Sequence, residues 1–294
     1  KSKNNLLFDL KMNFKNNSLL IGFLDYKKKE GLDSIVSIKG NLKKNNQKNF
    51  NLINLKEKNN EISIKELDLN ENFKIIDIKS FNANYINDKN ILNDIYIKKD
   101  KSNYIIQGES FDSSSIINSI MDNDEQGSSI FHNLNSKISI KIKKTYIDEV
   151  NYMNNLHGNI NFNNNKIKSL KLESSFSNQK KINLSIETKK NSETITRLVT
   201  NYPKPLIKRY DFIKGFEEGS LDFYSSKKGN ISNSVLIIDN FKVKEVPVFA
   251  KLLSLASLQG IADLLTGEGI RFTDFEMSFS NQKGLTTIDE MYAI

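Results

Sequence analysis

The sequence predicts a mainly β protein in which a long antiparallel sheet curls into a groove with an apolar inner face. Apolar and polar residues alternate with a period of two over most of the chain, which is typical of strands with one buried face. Links of Asn, Gly, Ser and Lys separate the alternating stretches, and these residues favour tight turns. Strands joined by short turns pair antiparallel, so one face of the sheet is expected to be apolar and the other polar.

The clearest alternation lies in "KISIKIKK", where Ile138, Ile140 and Ile142 point to one face and Lys and Ser to the other. Similar segments occur from the beginning of the chain to its end. In order, they include "LLFDLKMNF", "EISIKELDL", "GNINF", "SLKLESSF", "INLSIETK", "GSLDFY" and "FEMSF". A sheet of roughly 15 such strands has to curl or to split into two packed sheets, so a β-sandwich is the alternative fold.

Three short stretches break the alternation and predict helices. In "ESFDSSSIINSIM", Asp112 and Ser113 are candidate N-caps for isoleucines at helical spacing. In "NYPKPLIKRYDFIKG", Pro205 suits a first turn and Gly215 suits the end of the helix. The third stretch, "VPVFAKLLSLASLQGIADLLTGEG", is the most apolar segment of the chain but too short to span a bilayer. We expect it to be buried against the sheet or across one end of it.

The composition excludes most familiar catalytic and metal sites. The chain has no Cys, which removes thiol nucleophiles, disulfides and cysteine-ligated zinc. Its two histidines, His132 and His157, are far apart in polar surroundings, and its glycines form neither a P-loop nor a nucleophile elbow. The segment "DNDEQG" imitates the start of a calcium loop, but Asn133 stands where a bidentate Glu is needed. We therefore expect no catalytic residue, no metal and no cofactor.

The formal net charge of +8 does not indicate a nucleic-acid partner. It arises from 40 Lys against 3 Arg, whereas Arg is the side chain that binds phosphate and guanine with two parallel hydrogen bonds. Lys and Asn share A/T-rich codons and both are abundant, so codon composition explains the excess of Lys. We expect no nucleic acid among the partners.

The apolar face of the sheet is the feature that composition leaves to be explained. If the sheet does not split, this face forms a trough larger than the few hundred Å² of contiguous apolar surface that is usual for a monomer. Acyl chains could fill such a trough, whereas in a sandwich a second sheet would close it. The alternation by itself does not choose between the two.

One segment in the last third of the chain carries a distinctive motif. In "VPVFAKLLSLASLQGIADLLTGEGIRFTDFEMSF", an "LxSLASLxGIxDLLxGEGIxF" stretch leads into an alternating strand, and this resembles the C-terminal region of AsmA-like proteins, in particular the YhdP-type branch. Upstream, "PLIKRYDFIKGFEEGSLDF" is similar to the family's helix and "GGxLxL" strand, although Glu218 replaces the first glycine. "LHGNINFNNNKIKSLKLESSF" and "GESFDSSSIINSIM" are similar to units of the family's mid-chain domain of unknown function. Before position 108, only the alternating strand pattern agrees with the family.

The resemblance implies both an organisation and a function. Residues 1–200 would be part of the mid-chain repeating β-groove region and residues 201–294 the AsmA-like C-terminal region, each truncated. The parent would be a bacterial periplasmic protein, anchored in the inner membrane by a segment missing from this chain. In such bridge-like lipid transfer proteins, phospholipids are thought to move along a curled antiparallel sheet towards the outer membrane without covalent chemistry.

The resemblance also implies that acyl chains of phospholipids bind the apolar sheet face, with the membrane reached through the missing anchor. The expected contacts are Ile138, Ile140, Ile142, Ile160, Phe162, Leu170, Leu172, Ile182, Leu184, Ile186, Leu221 and Phe223. The third helix would plug or shape one end of the groove through Phe249, Leu252, Leu255, Leu258, Ile261 and Leu265. The alternative function is a structural or assembly scaffold for outer-membrane biogenesis, whose apolar face a second sheet closes. The parent could also bind envelope proteins, whose identity the sequence does not reveal.

Overall fold

The protein is mainly β, as predicted. The computed structural model describes residues 6–43, 47–121, 131–209, 213–244 and 269–294. Within these ranges lie eighteen strands, two α-helices and one short 3₁₀ helix. Sixteen strands form a large, open and mostly antiparallel sheet, and the other two pair as a hairpin. The described strands therefore do not form the alternative fold, a sandwich of two comparable sheets.

The chain divides into two compact units, Lys1–Lys168 and Ser169–Ile294. The division falls inside a strand and differs from the expected division after residue 200. That expectation concerned family regions and stays a prediction.

The first unit contains the strands up to β11 and the start of β12. Its elements are β1 (Leu6–Asn13), β2 (Leu19–Ile21), the 3₁₀ helix (Gly22–Leu24), β3 (Tyr26–Lys28), β4 (Ser34–Leu42), β5 (Lys48–Glu57), β6 (Asn60–Leu69), β7 (Ile75–Ile86), β8 (Leu92–Asp100), β9 (Asn103–Asp112), α1 (Ser114–Met121), β10 (Lys137–Tyr146), β11 (Tyr152–Asn163) and β12 (Lys166–Phe176). In the sheet, β1 pairs with β4, and each later strand up to β11 pairs with the next. The hairpin β2–β3 lies outside this sheet.

One pair in the first unit departs from the antiparallel pattern. Strands β9 and β10 are parallel, because the chain returns from the end of β9 to the start of β10 through a connection that begins with α1. Parallel neighbours require such a crossover, whereas a short turn produces antiparallel neighbours. Helix α1 begins at the position that the candidate N-caps indicated. The amide of Ser114 donates to Asp112 Oδ1 at 2.9 Å, and Ile117 N–H donates to the Ser113 carbonyl at 2.9 Å.

The second unit is an antiparallel meander in its described part. Its remaining elements are β13 (Lys181–Thr188), β14 (Glu193–Thr200), α2 (Lys204–Arg209), β15 (Phe216–Lys228), β16 (Ile231–Val243), β17 (Ile270–Gln282) and β18 (Leu285–Ala293). Each strand from β12 to β18 pairs antiparallel with the next. Helix α2 confirms the second predicted helix, with Pro205 in its first turn.

The third predicted helix and the calcium-like segment both lie outside the described residues. The same is true of the six expected groove-end residues, Phe249, Leu252, Leu255, Leu258, Ile261 and Leu265. Of the two α-helices in the described ranges, neither is long and apolar enough to cross a bilayer.

Candidate functional site

Rows of apolar side chains cross the sheet of the first unit at right angles to its strands. In the central row, each residue is the direct cross-strand partner of the next from β1 to β11. Its members are Leu10, Ile38, Ile53, Ile64, Phe81, Ile97, Ile106, Ile140 and Gly158. A neighbouring row consists of Met12, Val36, Leu55, Ile62, Ala83, Ile95, Gly108, Ile142 and Leu156. We call this surface the first apolar face.

The opposite side of the same strands is polar. Between the two apolar rows runs a row that consists of Lys11, Ser37, Asn54, Ser63, Asn82, Tyr96, Gln107, Lys141 and His157. Because side chains along a strand alternate between the two faces, these residues lie on the reverse of the first apolar face. The period-two pattern of the sequence therefore sorts the side chains as predicted.

Two segments lie over the first apolar face. The lid, residues 14–28, contains the 3₁₀ helix and the hairpin β2–β3. Its Leu24 and Tyr26 belong to one buried cluster with Leu55, Ile62 and Ala83 of the sheet. The strap, residues 131–136, leads into β10 and lines a cavity over the same face.

Hydrogen bonds hold the strap at two places. The amide of His132 donates to the Ile75 carbonyl on β7 at 2.7 Å. Further along, Leu134 N–H donates to Asn165 Oδ1 at 2.6 Å, and Asn165 Nδ2 donates to the Phe131 carbonyl at 3.2 Å. The strap is thus fixed to β7 and to the turn after β11.

Buried polar contacts hold the lid. The Tyr26 hydroxyl donates to Glu57 Oε2 at 2.5 Å, and the Tyr85 hydroxyl donates to the Leu24 carbonyl. The two tyrosine rings meet edge to face, with their centroids 5.3 Å apart. Lys28 is fully buried, and its ammonium group donates to the carbonyls of residues 14, 15 and 17, which closes the lid on itself.

A charged cluster, here called the Lys89 network, joins the lid to α1. Lys89 Nζ lies 2.7 Å from Asp25 Oδ2 on the lid, 3.2 Å from Asp112 Oδ2 and 2.7 Å from Ser114 Oγ. The Asp112 side chain is fully buried and also accepts a hydrogen bond from Asn87 Nδ2 at 2.8 Å. The network therefore fixes the lid, the turn before β8 and the start of α1 to one another.

Electrostatics in the Lys89 network favour the charged forms. Burial opposes charge on Asp112, but hydrogen bonds from Ser114 and Lys89 and the charge of Lys89 outweigh it and lower the pKa of this carboxyl. Burial likewise disfavours the Lys89 ammonium, yet its hydrogen bonds to Asp25 and Asp112 and their charges raise its pKa. The three groups stabilise one another as ions.

A cavity of about 300 Å³ lies between the first apolar face, the lid and the strap. Its floor includes Ile64, Phe81, Ile97 and Ile106 of the central row. Its walls include Phe23 of the lid and Phe131 and Leu134 of the strap. The Tyr104 ring also lines it, while the Tyr104 hydroxyl donates to Asp77 Oδ1 at 3.1 Å. The lining is apolar, which suits a hydrocarbon ligand.

The second unit has its own row of apolar partners, here called the second apolar face. From β12 to β18 it consists of Leu172, Leu184, Leu198, Phe223, Leu236, Met277 and Met291. Next to this row, an aromatic group packs around Phe241, whose ring stacks on Phe216 and Phe272 with centroid distances of 5.3 and 5.1 Å. Ile207 of α2 joins the same buried cluster.

The structure places the described site residues on these two faces. Ile138, Ile140, Ile142 and Ile160 lie on the first apolar face, and Phe162 follows Ile160 at strand spacing. Leu170, Leu172, Ile182, Leu184, Ile186, Leu221 and Phe223 lie on the second. Their location agrees with the alternation, and their lipid contacts stay a prediction. The alternation could not reveal the lid, the strap and the Lys89 network, because they depend on residues far apart in the chain.

In the described ranges, no three His, Asp or Glu side chains lie close enough together to hold a metal ion. His132 is exposed, and His157 Nδ1 lies 2.8 Å from the Asn155 carbonyl. No protein-family model, no curated protein and no solved structure matches the chain.

Proposed function

We propose that the chain is a non-catalytic lipid-binding module, part of a periplasmic conduit that carries phospholipids between the inner and outer bacterial membranes. The observation that carries this proposal is the pair of apolar faces, whose rows have an apolar residue or a glycine at the partner position on each strand. The resemblance to AsmA-like, YhdP-type proteins supports the same function. In this proposal the strands curl around the lipid tails as a groove, and an anchor outside this chain attaches the parent to the inner membrane.

The chemistry of the two faces fits acyl chains. Each methylene group that leaves water for an apolar surface contributes about 0.8 kcal/mol of favourable binding free energy. A lipid tail would therefore bind without a specific contact. Because dispersion and hydrophobic burial are non-directional, such faces discriminate little between tails. The polar reverse of the first unit can stay in water while the apolar side holds lipid.

A pair of neighbouring aromatic residues offers a matched test on the second unit. Phe223 lies on the second apolar face, and Tyr224 follows it on the reverse, where it is exposed. Replacement of either residue by benzoylphenylalanine places a photo-crosslinker of similar shape on one side of β15. After irradiation in bacterial cells, we expect phospholipid bound covalently to the Phe223 variant and far less to the Tyr224 variant, as read by mass spectrometry of the purified chain.

The same experiment separates the conduit from a scaffold. A scaffold with a closed apolar face has a dry interior, so neither position would capture lipid although both variants fold. That result, or equal capture at the two positions, would overturn the proposed function. Circular dichroism of both variants checks that the sheet is intact.

A further inference from the structure

We infer that the cavity of the first unit is a binding site for one unbranched acyl chain, so that it takes single-chain amphiphiles such as fatty acids in preference to two-chain phospholipids. The inference rests on the proposed function and narrows the lipid class at one place in the chain.

The volume of the cavity fits one chain. An apolar cavity of about 150 Å³ holds one benzene molecule. The cavity beneath the lid measures about 300 Å³, which by the same measure has room for about a dozen carbon atoms. A lipid with two long tails needs several times that space, so only one tail can enter.

The shape of the cavity points to the same ligand. Its floor extends over five neighbouring strands, from Ile64 on β6 to Ile138 on β10. At about 4.8 Å from strand to strand, the lining covers about 19 Å. A volume of about 300 Å³ spread over that length makes the cavity long and narrow. A flexible, unbranched chain suits a long, narrow apolar space better than two chains side by side.

The cover over the cavity prevents it from widening easily. Phe23 on the lid and Phe131 and Leu134 on the strap line the side opposite the sheet. The Lys89 network and the Tyr26–Glu57 hydrogen bond hold the lid in place. A second tail would have to displace the lid and break these buried contacts, which costs free energy that a single tail does not have to overcome.

The polar end of the ligand is expected to stay outside. The Tyr104 hydroxyl, which belongs to a lining residue, is already hydrogen-bonded to Asp77, and a carboxylate inside the apolar lining would lose its hydration without a partner. Phe23 is 60% exposed although it lines the cavity, so it stands where the interior meets solvent. The head group would lie beyond Phe23.

The absence of Trp from the sequence permits a direct test. A Phe23→Trp variant carries a single indole at the mouth of the cavity. The probe is 2-bromododecanoic acid, kept below its micelle concentration, because its bromine next to the carboxyl group quenches fluorescence only where the head-group end of the chain comes close to the indole. We expect saturable quenching with one fatty acid per chain, and much weaker quenching by a two-chain phosphatidylcholine with brominated tails. In the same background, Ile106→Phe should raise the Kd by about tenfold or more, because the larger ring overfills the cavity. Gln107→Phe, on the reverse of β9, is the matched control and should leave the Kd unchanged.

A second reporter separates failure of this inference from failure of the proposed function. Phe223→Trp places the indole on the second apolar face. If the phosphatidylcholine with brominated tails quenches this variant but the brominated fatty acid does not quench Phe23→Trp, the one-chain site is wrong and the proposed function stands. Binding of two or more fatty acids at the Phe23→Trp site, or equal quenching by the phosphatidylcholine, also overturns the inference. If neither reporter is quenched by any lipid, the proposed function itself fails.

Discussion

The two units cover their apolar faces in different ways. In the first unit, the lid and the strap lie over a mostly aliphatic floor, buried polar groups fix the lid, and a cavity remains between them. In the second unit, aromatic rings around Phe241 pack against one another beside the apolar row, together with Ile207 of α2. The first arrangement leaves a covered cavity over the apolar rows, whereas in the second the aromatic side chains fill the space beside the apolar row.

Because both units consist of alternating strands, the contrast between them lies in their connections. In the first unit, the chain between β1 and β4 and between β9 and β10 is long enough to return across the face. In the second unit, the connection after β14 carries α2, which packs Ile207 against the aromatic group, whereas the described turns after β12, β13, β15 and β17 are short.

The largest effect is expected from Phe241→Ala in the second unit. Phe241 is 2% exposed and contacts three other rings, those of Phe216, Phe272 and Phe275. Its loss leaves a cavity that neighbouring strands cannot collapse into, so the free energy of unfolding of this unit should fall by about 3–5 kcal/mol. Urea unfolding followed with the Phe223→Trp reporter measures the change.

A control and a cross-check accompany this substitution. Tyr224→Ala removes an exposed ring from the reverse of β15 and should cost less than about 1 kcal/mol. The Phe23→Trp reporter of the first unit should unfold at the same urea concentration with or without Phe241→Ala, because the named contacts of Phe241 all lie in the second unit. A shift of equal size at both reporters would show that the two units unfold as one, which would contradict this expectation.

A smaller effect is expected from Lys89→Met in the first unit. The substitution keeps much of the length of the side chain but leaves the buried Asp112 carboxylate without its cation. Removal of one partner from a fully buried ion pair costs about 3–5 kcal/mol. Because the Lys89 side chain is 26% exposed, we expect about 2 kcal/mol, measured with the Phe23→Trp reporter, and faster amide exchange in the lid.

The matched control for Lys89→Met is Lys79→Met. Lys79 pairs with Glu66, and both side chains are more than half exposed. An exposed pair contributes little, so the change should stay below about 0.5 kcal/mol. If both substitutions cost the same, the Lys89 network does not hold the lid.

Much of the fold could be predicted because period-two alternation is a local property of the sequence. The apolar rows and the start of α1 follow from that pattern and from the capping residue Asp112. The pattern is less informative where the backbone departs from a regular strand. In "EISIKELDL", Ile62 and Leu67 are five positions apart, which in a regular strand would place them on opposite faces, yet both are buried. Glu66, between them, has a positive φ of 49°. This conformation shifts the alternation by one residue, which composition does not reveal.

The cover of the cavity could not be predicted for a different reason. The lid is positioned by contacts between residues distant in sequence, such as Asp25 with Lys89 and Tyr26 with Glu57. Neither a short hairpin nor a 3₁₀ helix has enough residues to show a period. The parallel pair β9–β10 likewise depends on where the crossover returns to the sheet. Long-range contacts of this kind become visible only once the strands are in register.

The smallest effect per group concerns alkaline pH, which should weaken the first unit more than the second. Burial, together with the Glu57 hydrogen bond and charge, raises the pKa of Tyr26. Burial and the charges of Asp112 and Asp25 raise the pKa of Tyr85. For Tyr104, burial and Asp77 raise the pKa to about 12. A tyrosine with a raised pKa keeps its proton in the folded state while the unfolded chain, with a pKa of about 10, loses it.

The sign of the pH effect follows from this difference in bound protons. The stabilisation by each tyrosine is complete below pH 10 and is lost as the pH rises towards the folded pKa, by about 1 kcal/mol per tyrosine at pH 11. Lys89 acts in the same direction, since its raised pKa also means that the folded state holds its proton longer. In the second unit, the Glu276 hydrogen bond raises the pKa of Tyr292, but this ring is 43% exposed and water screens the effect. Between pH 8 and pH 11, the urea midpoint should therefore decrease more for the Phe23→Trp reporter than for Phe223→Trp. Tyr104→Phe should make the decrease at the Phe23→Trp reporter smaller. Equal decreases at the two reporters would contradict the role of the buried tyrosines in stabilising the first unit.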